Sequence, residues 1–351
     1  MHNLPLVGLD IGGTLVKLAY LDIYNLDSSD PKLVKLSNDI HHFVKNPRTY
    51  GKTGVFDNYL TIENVELNGY KGSLKFIRFP SSDMPLFIKI CGQRHFSTFL
   101  ETIHVTGGGA FKYNNEMEQI ASCSLSKHDE FKSLISGLEY IKIVNPLNEM
   151  YYLNKSYESC NWSMEDLYPY LIINIGTGVS VIHVISRNQF ERVTGTSIGG
   201  GTFTSLCNLL TGSKGFDQAM QLAETGESQN VDLLVSDIYG GNYDLFNLPG
   251  DVVASSFAKL KDKSHASKND IANGLLTMIA NNIGSIALMC AFTKQCNNIL
   301  FCGNFLRENN IAKEKLSYAM DYWSKGEKRA YFAQHNGYFG AIGSMVLSLT
   351  Q

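Results

Sequence analysis

Apolar residues along the chain fall into two rhythms, short runs with period two and longer stripes with period near four. Val7 to Ile11 is nearly all apolar, Gly12, Gly13 and Thr14 interrupt it, and Leu15 to Tyr20 resumes with alternation. The pattern predicts a strand, a tight turn and a second strand, with Asp10 one step before a glycine tip. The same grammar returns from Tyr170 to Ile182, around Gly176-Thr177-Gly178. Superposing Asp10-Ile11-Gly12 on Asn174-Ile175-Gly176 aligns the two hairpins, an internal echo at the head of each half. Between them, strand candidates run from Tyr59 to Leu67, and Phe96 to Leu100 continues a short helix. Thr102 to Thr106 is predicted as a strand entering Gly107-Gly108-Gly109. A helix opens at Ser126-Lys127-His128-Asp129, with Ser126 as N-cap and Asp129 as its capping partner. Phe131, Leu134, Ile135, Leu138 and Ile141 supply its apolar stripe. Residues 144–166 read as irregular. Later come Gly199-Gly200-Gly201 before a helix near Thr202, a long helix from about Lys268, a strand from Asn298 into Gly303-Asn304, and a terminal helix over Gly337 to Leu349.

A chain of 351 residues exceeds one average core. Two α/β lobes are therefore expected, residues 1–165 and 166–351, each headed by one hairpin. The uncharged stretch Ile271 to Phe292 is long enough to cross a bilayer. Asn273, Asn281 and Asn282 dilute it, and Ser267 with Asp270 forms a capping pair suited to water, so a buried helix is expected rather than a membrane span. The net charge of −3 lacks the basic face that a nucleic-acid partner requires. The seven cysteines form neither CxxC nor a zinc spacing, and fit buried thiols in a reducing, cytoplasmic setting.

The candidate chemistry lies in the glycine turns. Glycine lets backbone N–H groups curl around an anion. Gly12, Gly13 and Thr14 supply such donors plus a hydroxyl, and Asp10 suits a magnesium ion held through water. Lys17 is a candidate charge clamp, although alternation alone does not fix its direction. One glycine turn is commonly just a turn. Two hairpins, with further turns at Gly107-Gly108-Gly109 and Gly199-Gly200-Gly201, point toward nucleotide binding between the lobes. The helix after Gly201 offers an N-terminus that favours an anion. Phosphoryl transfer then needs an oriented acceptor and a carboxylate near its hydroxyl. Capping accounts for Asp129 and leaves Glu130 unused, which is either the catalytic acid or an exposed first-turn residue. Arg192 is either a surface arginine or a cation for the acceptor or the phosphoryl group. Trp323 by itself reads as a core or groove aromatic.

The motifs together resemble eukaryotic-type (type II) pantothenate kinases of the actin/hexokinase/sugar-kinase fold. The resemblance rests on Gly8 to Lys17, Tyr50 to Gly54, Phe76 to Pro80, Thr106 to Lys112, Arg192 to Phe203, Ile238 to Gly241, Asn281 to Gly284, Gly303 to Arg307 and Gly337 to Ala341. It implies a two-lobed, ribonuclease H-like α/β fold with a nucleotide cleft between lobes. It also implies transfer of the ATP γ-phosphoryl group to pantothenate, the first step of coenzyme A synthesis. The family's catalytic glutamate falls on Glu130 and its pantothenate contacts on Thr177, Ser180 and Arg192. Relatives carry Ser at the position of Thr177, where Thr keeps the hydroxyl and adds a methyl. Nucleotide contacts fall on Gly12, Gly13, Thr14, Lys17, Gly303 and Asn304. The resemblance further implies a homodimer through the helix at 268–294. The partner subunit would supply the residues matching Tyr239, Tyr243, Val253, Ala254 and Trp323, and acetyl-CoA or another acyl-CoA would inhibit. The segment from Asn25 to Arg48 departs most from the pattern. Two other readings stay open: a sugar or amino-sugar kinase of the same fold, and a catalytically silent acyl-CoA-binding homologue. A filament-forming ATPase is disfavoured by the Ser180 and Arg192 arrangement.

Overall fold

A computed structural model describes residues 7–24, 54–93, 102–163, 167–262 and 266–350. Motif residues Tyr50 to Thr53, the helix expected over Phe96 to Leu100, and Asn25 to Arg48 lie outside these. The chain divides into two compact units. The first comprises Met1–Met150, Asn161–Glu165 and Ala333–Gln351, the second Tyr151–Cys160 and Asp166–Phe332.

The first unit is built on β1 (Val7–Ile11), β2 (Leu15–Ile23), β3 (Val55–Phe56), β4 (Ile62–Leu67), β5 (Tyr70–Pro80), β6 (Thr102–Thr106) and β7 (Ser124–Lys127). Its sheet runs β3-β5-β2-β1-β6-β7, with β4 also on β5. The β5-β2-β1 stretch is antiparallel, and β6 and β7 continue it in parallel. Helix α1 (Met84–Gln93) follows β5 and α2 (Glu130–Val144) follows β7. The start of α2 differs from the sequence expectation. Ser126 is a strand residue opposite His104, and Asp129 is the N-cap, its carboxylate accepting the Lys132 N–H at 2.8 Å. The ladder to β6 keeps residues 124–127 extended, so the helix starts only where that ladder ends.

The closing helix Phe339–Leu347 was expected in the C-terminal lobe, but it belongs to the first unit. Glycines allow its backbone to touch its neighbours. A Cβ on Gly343 would stand 1.7 Å from Ser133 O, and one on Gly8 would stand 2.1 Å from Ala341 O. A buried ion pair pins the segment before it. His335 Nδ1 donates to Glu149 Oε2 at 2.6 Å and Nε2 donates to Leu60 O at 2.7 Å. Both ring nitrogens therefore carry protons, and the Glu149 carboxylate raises the His335 pKa against the opposing effect of burial.

The second unit carries β8 (Met150–Leu153), β9 (Ser159–Asn161), β10 (Tyr170–Ile175), β11 (Val179–Ser186), β12 (Gln189–Thr196), β13 (Leu233–Leu234), β14 (Val253–Ser255), β15 (Asn298–Cys302) and β16 (Arg329–Ala333). The main sheet runs β12-β11-β10-β15-β16-β8-β9, so part of the stretch expected to be irregular forms the last two strands on one side of the sheet. Helices α3 (Gly200–Thr211), α4 (Phe216–Glu224), α5 (Lys268–Lys294) and α6 (Asn310–Trp323) complete it. Inward residues Leu171, Ile173, Ile175 and Val181 form one core with Leu276, Ile279 and Ile283 of α5. Each such side chain contributes about 1.5–3 kcal/mol by leaving water. Ser267 and Asp270 cap α5 reciprocally, as the sequence indicates. By length and composition α5 is apolar enough to cross a membrane, and 61% of its most apolar window is buried within the protein.

Both sheets repeat one motif. Three antiparallel strands are followed by two parallel ones beside the first, as β5-β2-β1-β6-β7 and as β12-β11-β10-β15-β16. This is the ribonuclease H-like order of the actin/hexokinase-like class, present twice.

Candidate active site

In the first unit, strand register builds a polar row. Arg78 opposes Lys17, Lys17 opposes Asp10, and Asp10 lies beside Thr106. Residues directly opposite one another share a face of the sheet. The direction of Lys17, open on sequence grounds, is thereby settled: its Nζ lies 2.9 Å from Asp10 Oδ2, with the two side chains 16% and 17% exposed. Arg78 is held in turn by buried Asp57, with Nε 2.9 Å from Oδ2, and the Tyr338 hydroxyl donates to the same carboxylate oxygen.

The hairpin tip is braced from β5. Ser81 Oγ donates to Gly12 O at 2.7 Å and Ser81 N to Thr14 O at 2.9 Å, while Gly13 and Thr14 stay exposed. Gly107, at φ +84°, turns the chain past the row. A Cβ there would stand 2.7 Å from Ile11 O and 2.9 Å from Asp10 Oδ1. A Cβ on Gly109 would strike Ile11 Cγ2 at 2.2 Å, whereas Gly108 has nothing within 4 Å. Gly340, at the start of the closing helix, brings its backbone against Asp10 from another side. The structure thus gathers Lys17, Gly107 and Gly340 around the Asp10 carboxylate, with Gly12 following β1 and Gly109 packed on Ile11 at the end of that strand. Arg78, Thr106 and Gly340 lie in motif runs that carry the family resemblance, where the sequence alone gives them no role; register and close approach place them at this row.

Glu130 is the first residue of α2, facing solvent beside this row. The protein packed behind it raises its pKa, and Asp10 and Asp129 add to that effect while Lys17 opposes it. It is therefore a stronger base than an ordinary carboxylate, within electrostatic reach of Asp10 and Lys17.

In the second unit the corresponding row is Gly195, Ser180, Asn174 and Cys302 on adjacent strands. A bulge in β12 sets Ile182 opposite Arg192 and Val181 opposite Thr194. The extra residue brings Arg192 and Gly195, three apart, onto one face. A Cβ on Gly195 would stand 2.4 Å from Arg192 Nη2, so the guanidinium lies across Gly195, beside Ser180. Thr177 sits exposed at the hairpin tip.

The remaining glycines converge on this hairpin. Gly200 N donates to Gly176 O at 2.9 Å and Gly201 N to Thr177 O at 3.0 Å. Helix α3 begins at Gly200 rather than near Thr202. Its first two amides are engaged by hairpin carbonyls, which corrects the expectation of an open helix N-terminus there. A Cβ on Gly199 would stand 2.8 Å from Thr177 O. Gly303, at φ +103°, presses its Cα face to 2.3 Å, measured from a would-be Cβ, against Ile175 O, and Asn304 follows in the same turn.

Tyr239, Tyr243, Val253 and Ala254 share an excursion over residues 233–255. Its own bonds hold it: Val235 N to Val252 O at 2.9 Å, Ser236 N to Gly250 O at 2.9 Å and Tyr243 N to Leu248 O at 2.8 Å. The Tyr239 and Tyr243 rings stack 4.1 Å apart, and Leu245 and Phe246 beside them are 76% and 64% exposed. Trp323 lies in α6, next to Tyr322, whose hydroxyl donates to Asn247 O at 2.8 Å. Trp323 is half-buried against α5 near Gly284.

Among the described residues no group of three or more His, Cys, Asp or Glu side chains is arranged to hold a metal ion. Magnesium does not require one, because it keeps several waters and binds through one or two carboxylates plus phosphates. Asp10, with Oδ2 on Lys17 and Oδ1 beside Gly107, fits a partnership through water.

Comparison with known proteins shows the family. The Fumble family profile matches residues 6–347, and the chain belongs to that family, the type II pantothenate kinases. It is 35% identical to pantothenate kinase 1 of Arabidopsis thaliana over 96% of this chain and 84% of that protein. It is 33% identical to mouse 4'-phosphopantetheine phosphatase over 100% of this chain but only 42% of that protein. Against pantothenate kinase 2 of Arabidopsis thaliana it is 34% identical and spans 38% of that protein. Among solved structures, a ROK family glucokinase from Streptomyces griseus is 12% identical over 98% of this chain and 99% of that one, with a TM-score of 0.45.

Proposed function

We propose that the chain is an ATP-dependent pantothenate kinase, producing 4'-phosphopantothenate for coenzyme A synthesis. The observation that carries this is Glu130, a carboxylate with a raised pKa beside the Asp10–Lys17 pair, in a chain of the Fumble family. The Arabidopsis relative of which the chain spans 84% is itself named pantothenate kinase.

Glu130 takes the proton as the pantothenate primary alcohol attacks the γ-phosphorus and ADP departs. Asp10 pushes the Glu130 pKa upward and so strengthens it as a base. Lys17, Gly12, Gly13, Thr14, Gly107, Gly108 and Gly109 of the first unit, and Gly199, Gly303 and Asn304 of the second, are assigned to the nucleotide, while Gly200 and Gly201 commit their amides to the hairpin and shape that turn. Lys17 there carries the one positive charge paired with Asp10, and positioning plus charge stabilisation does most of the work in such transfers. Thr177, Ser180 and Arg192 are assigned to pantothenate, whose carboxylate suits the guanidinium. A magnesium ion would be held through water by Asp10 and would neutralise charge on the phosphates.

We extend the reading to a cytoplasmic homodimer inhibited by acyl-CoA. Its support is an uncharged, outward stripe on α5, with Asn282, Ser285, Met289 and Phe292 exposed. The stacked Tyr239 and Tyr243 with their apolar neighbours form a second uncovered patch, suited to close the partner's pantothenate pocket together with Val253, Ala254 and Trp323.

The test is ADP formation by purified protein with ATP and pantothenate, with glucose and N-acetylmannosamine as rival acceptors. Pantothenate-dependent turnover, lowered by acetyl-CoA in competition with ATP, is expected. Turnover only with a sugar, or ATP binding without turnover, overturns the reading.

A further inference from the structure

Glu130 enters its helix from a turn that a pair of imidazoles holds in place. His104 Nδ1 and His128 Nε2 lie 3.0 Å apart, with ring centroids 5.3 Å apart and planes inclined by 34°. His104 sits on β6, two residues before the Thr106 of the polar row, and His128 is two residues before Glu130. Backbone bonds surround the pair: His128 N donates to Val105 O at 2.8 Å and Thr106 Oγ1 to His128 O at 3.1 Å. The imidazole bond is thus, beside the Thr106 hydroxyl, a side-chain tie between β6 and the turn that launches Glu130.

Two facing ring nitrogens can share one proton but not hold two. With both rings neutral, or with one charged, one N–H donates across the gap. With both charged, two N–H groups point at each other and the bond is lost. Little opposes this repulsion nearby. Lys132 on the first turn of α2 faces His128 and adds positive charge, while Asp129 is occupied in capping. From β7, Ser126 lies opposite His104, and Lys127 turns its ammonium over the Phe111 ring at 5.0 Å. From β1, Gly8 lies beside His104, and the closing helix brings only the Ser344 hydroxyl, to His104 O at 3.3 Å. Burial and the neighbouring imidazole lower His104 to about 4, and burial with Lys132 lowers His128.

We propose that the His104–His128 hydrogen bond is a positioning device for Glu130, intact at neutral pH and broken in acid by double protonation. This rests on the kinase reading for Glu130.

The experiment compares wild type with H128Q, whose amide keeps a hydrogen bond to His104 without titrating, and with H128L, which makes none. Thermal melts at each pH establish that the variants are folded. At neutral pH, H128Q retains kcat, and H128L loses ~10- to 100-fold in kcat with KM for ATP and pantothenate unchanged. In acid, wild-type kcat falls with two-proton steepness and H128Q with one. Histidine ring-nitrogen NMR shows linked titration of the two rings in wild type and an independent His104 in H128Q. Superimposable pH profiles for wild type and H128Q, full kcat in folded H128L, or independent ring titration in wild type overturns the proposal. Absence of wild-type turnover overturns the kinase reading instead, and the NMR comparison still decides the pair.

Discussion

The same rung of the same sheet motif carries opposite chemistry in the two units. In the first it reads Arg78, Lys17, Asp10, Thr106; in the second Gly195, Ser180, Asn174, Cys302. Asp10 and Asn174 are near-isosteres at equivalent ends of β1 and β10. The Asp10 charge is tolerable because Lys17 stands opposite at 2.9 Å and Asp57 secures Arg78 behind it. Among the described residues, no charged side chain stands opposite Asn174 in its strand ladder. Its cross-strand neighbour is Ser180, and its amide oxygen accepts from the Cys302 thiol at 3.9 Å. One rung therefore carries paired, fixed charges. The other supplies neutral hydrogen-bonding groups, with a single cation, Arg192, laid across it by a bulge.

The largest expected effect comes from the charged side of this contrast. Glu130→Gln removes the base and is expected to lower kcat by ~10²- to 10⁴-fold, with ATP affinity nearly unchanged by calorimetry. A variant with full kcat would detach the charged rung from catalysis. Next, Asn174→Asp imports the first unit's carboxylate without its lysine. A rise of about tenfold in KM for pantothenate is expected, equivalent to ~1.4 kcal/mol, and Asn174→Asp with Ser180→Lys should recover part of it. Unchanged KM in the single variant would mean that neutrality at this rung is not required.

A third comparison is confined to the first unit. Gly109→Ala places a Cβ 2.2 Å from Ile11 Cγ2, so overpacking is expected to cost about 1–3 kcal/mol in urea unfolding. Gly108→Ala, with nothing within 4 Å, should leave stability unchanged. The last comparison concerns pH, where the effect near neutrality is slight. Because the folded protein holds His104 near 4 against 6.5 when unfolded, the unfolded chain binds more protons between those values. Stability is thus full above pH 6.5 and declines as pH falls toward 4, and His104→Asn should flatten that decline in melting temperature.

Much of this was legible in the sequence because it is written in local rules. Glycine tips between alternating runs located both hairpins, and Ser267 with Asp270 fixed the start of α5. The adjacency of Asp129 and Glu130 separated a capping residue from a free acid, although the cap proved to be Asp129 rather than Ser126. What was not legible depends on contacts distant in sequence. The β6 ladder holds Ser126 extended, and the β12 bulge turns Arg192 toward Ser180. Hairpin carbonyls engage the Gly200 and Gly201 amides. Gly340 reaches Asp10 from the other end of the chain. No periodicity encodes these, because each is a pairing between segments that find one another only on folding.

The return of residues 333–351 to the first unit has a consequence for synthesis. A ribosome delivers β1 and β2 before the second unit, yet the helix that backs Asp10 emerges only after all of that unit. The second unit can fold as it is made, while the first waits, its Asp10 row uncovered on that side, until residues 333–351 have left the ribosome. Nascent chains arrested before Ala333 should therefore show a protease-resistant second unit and a protease-sensitive first one.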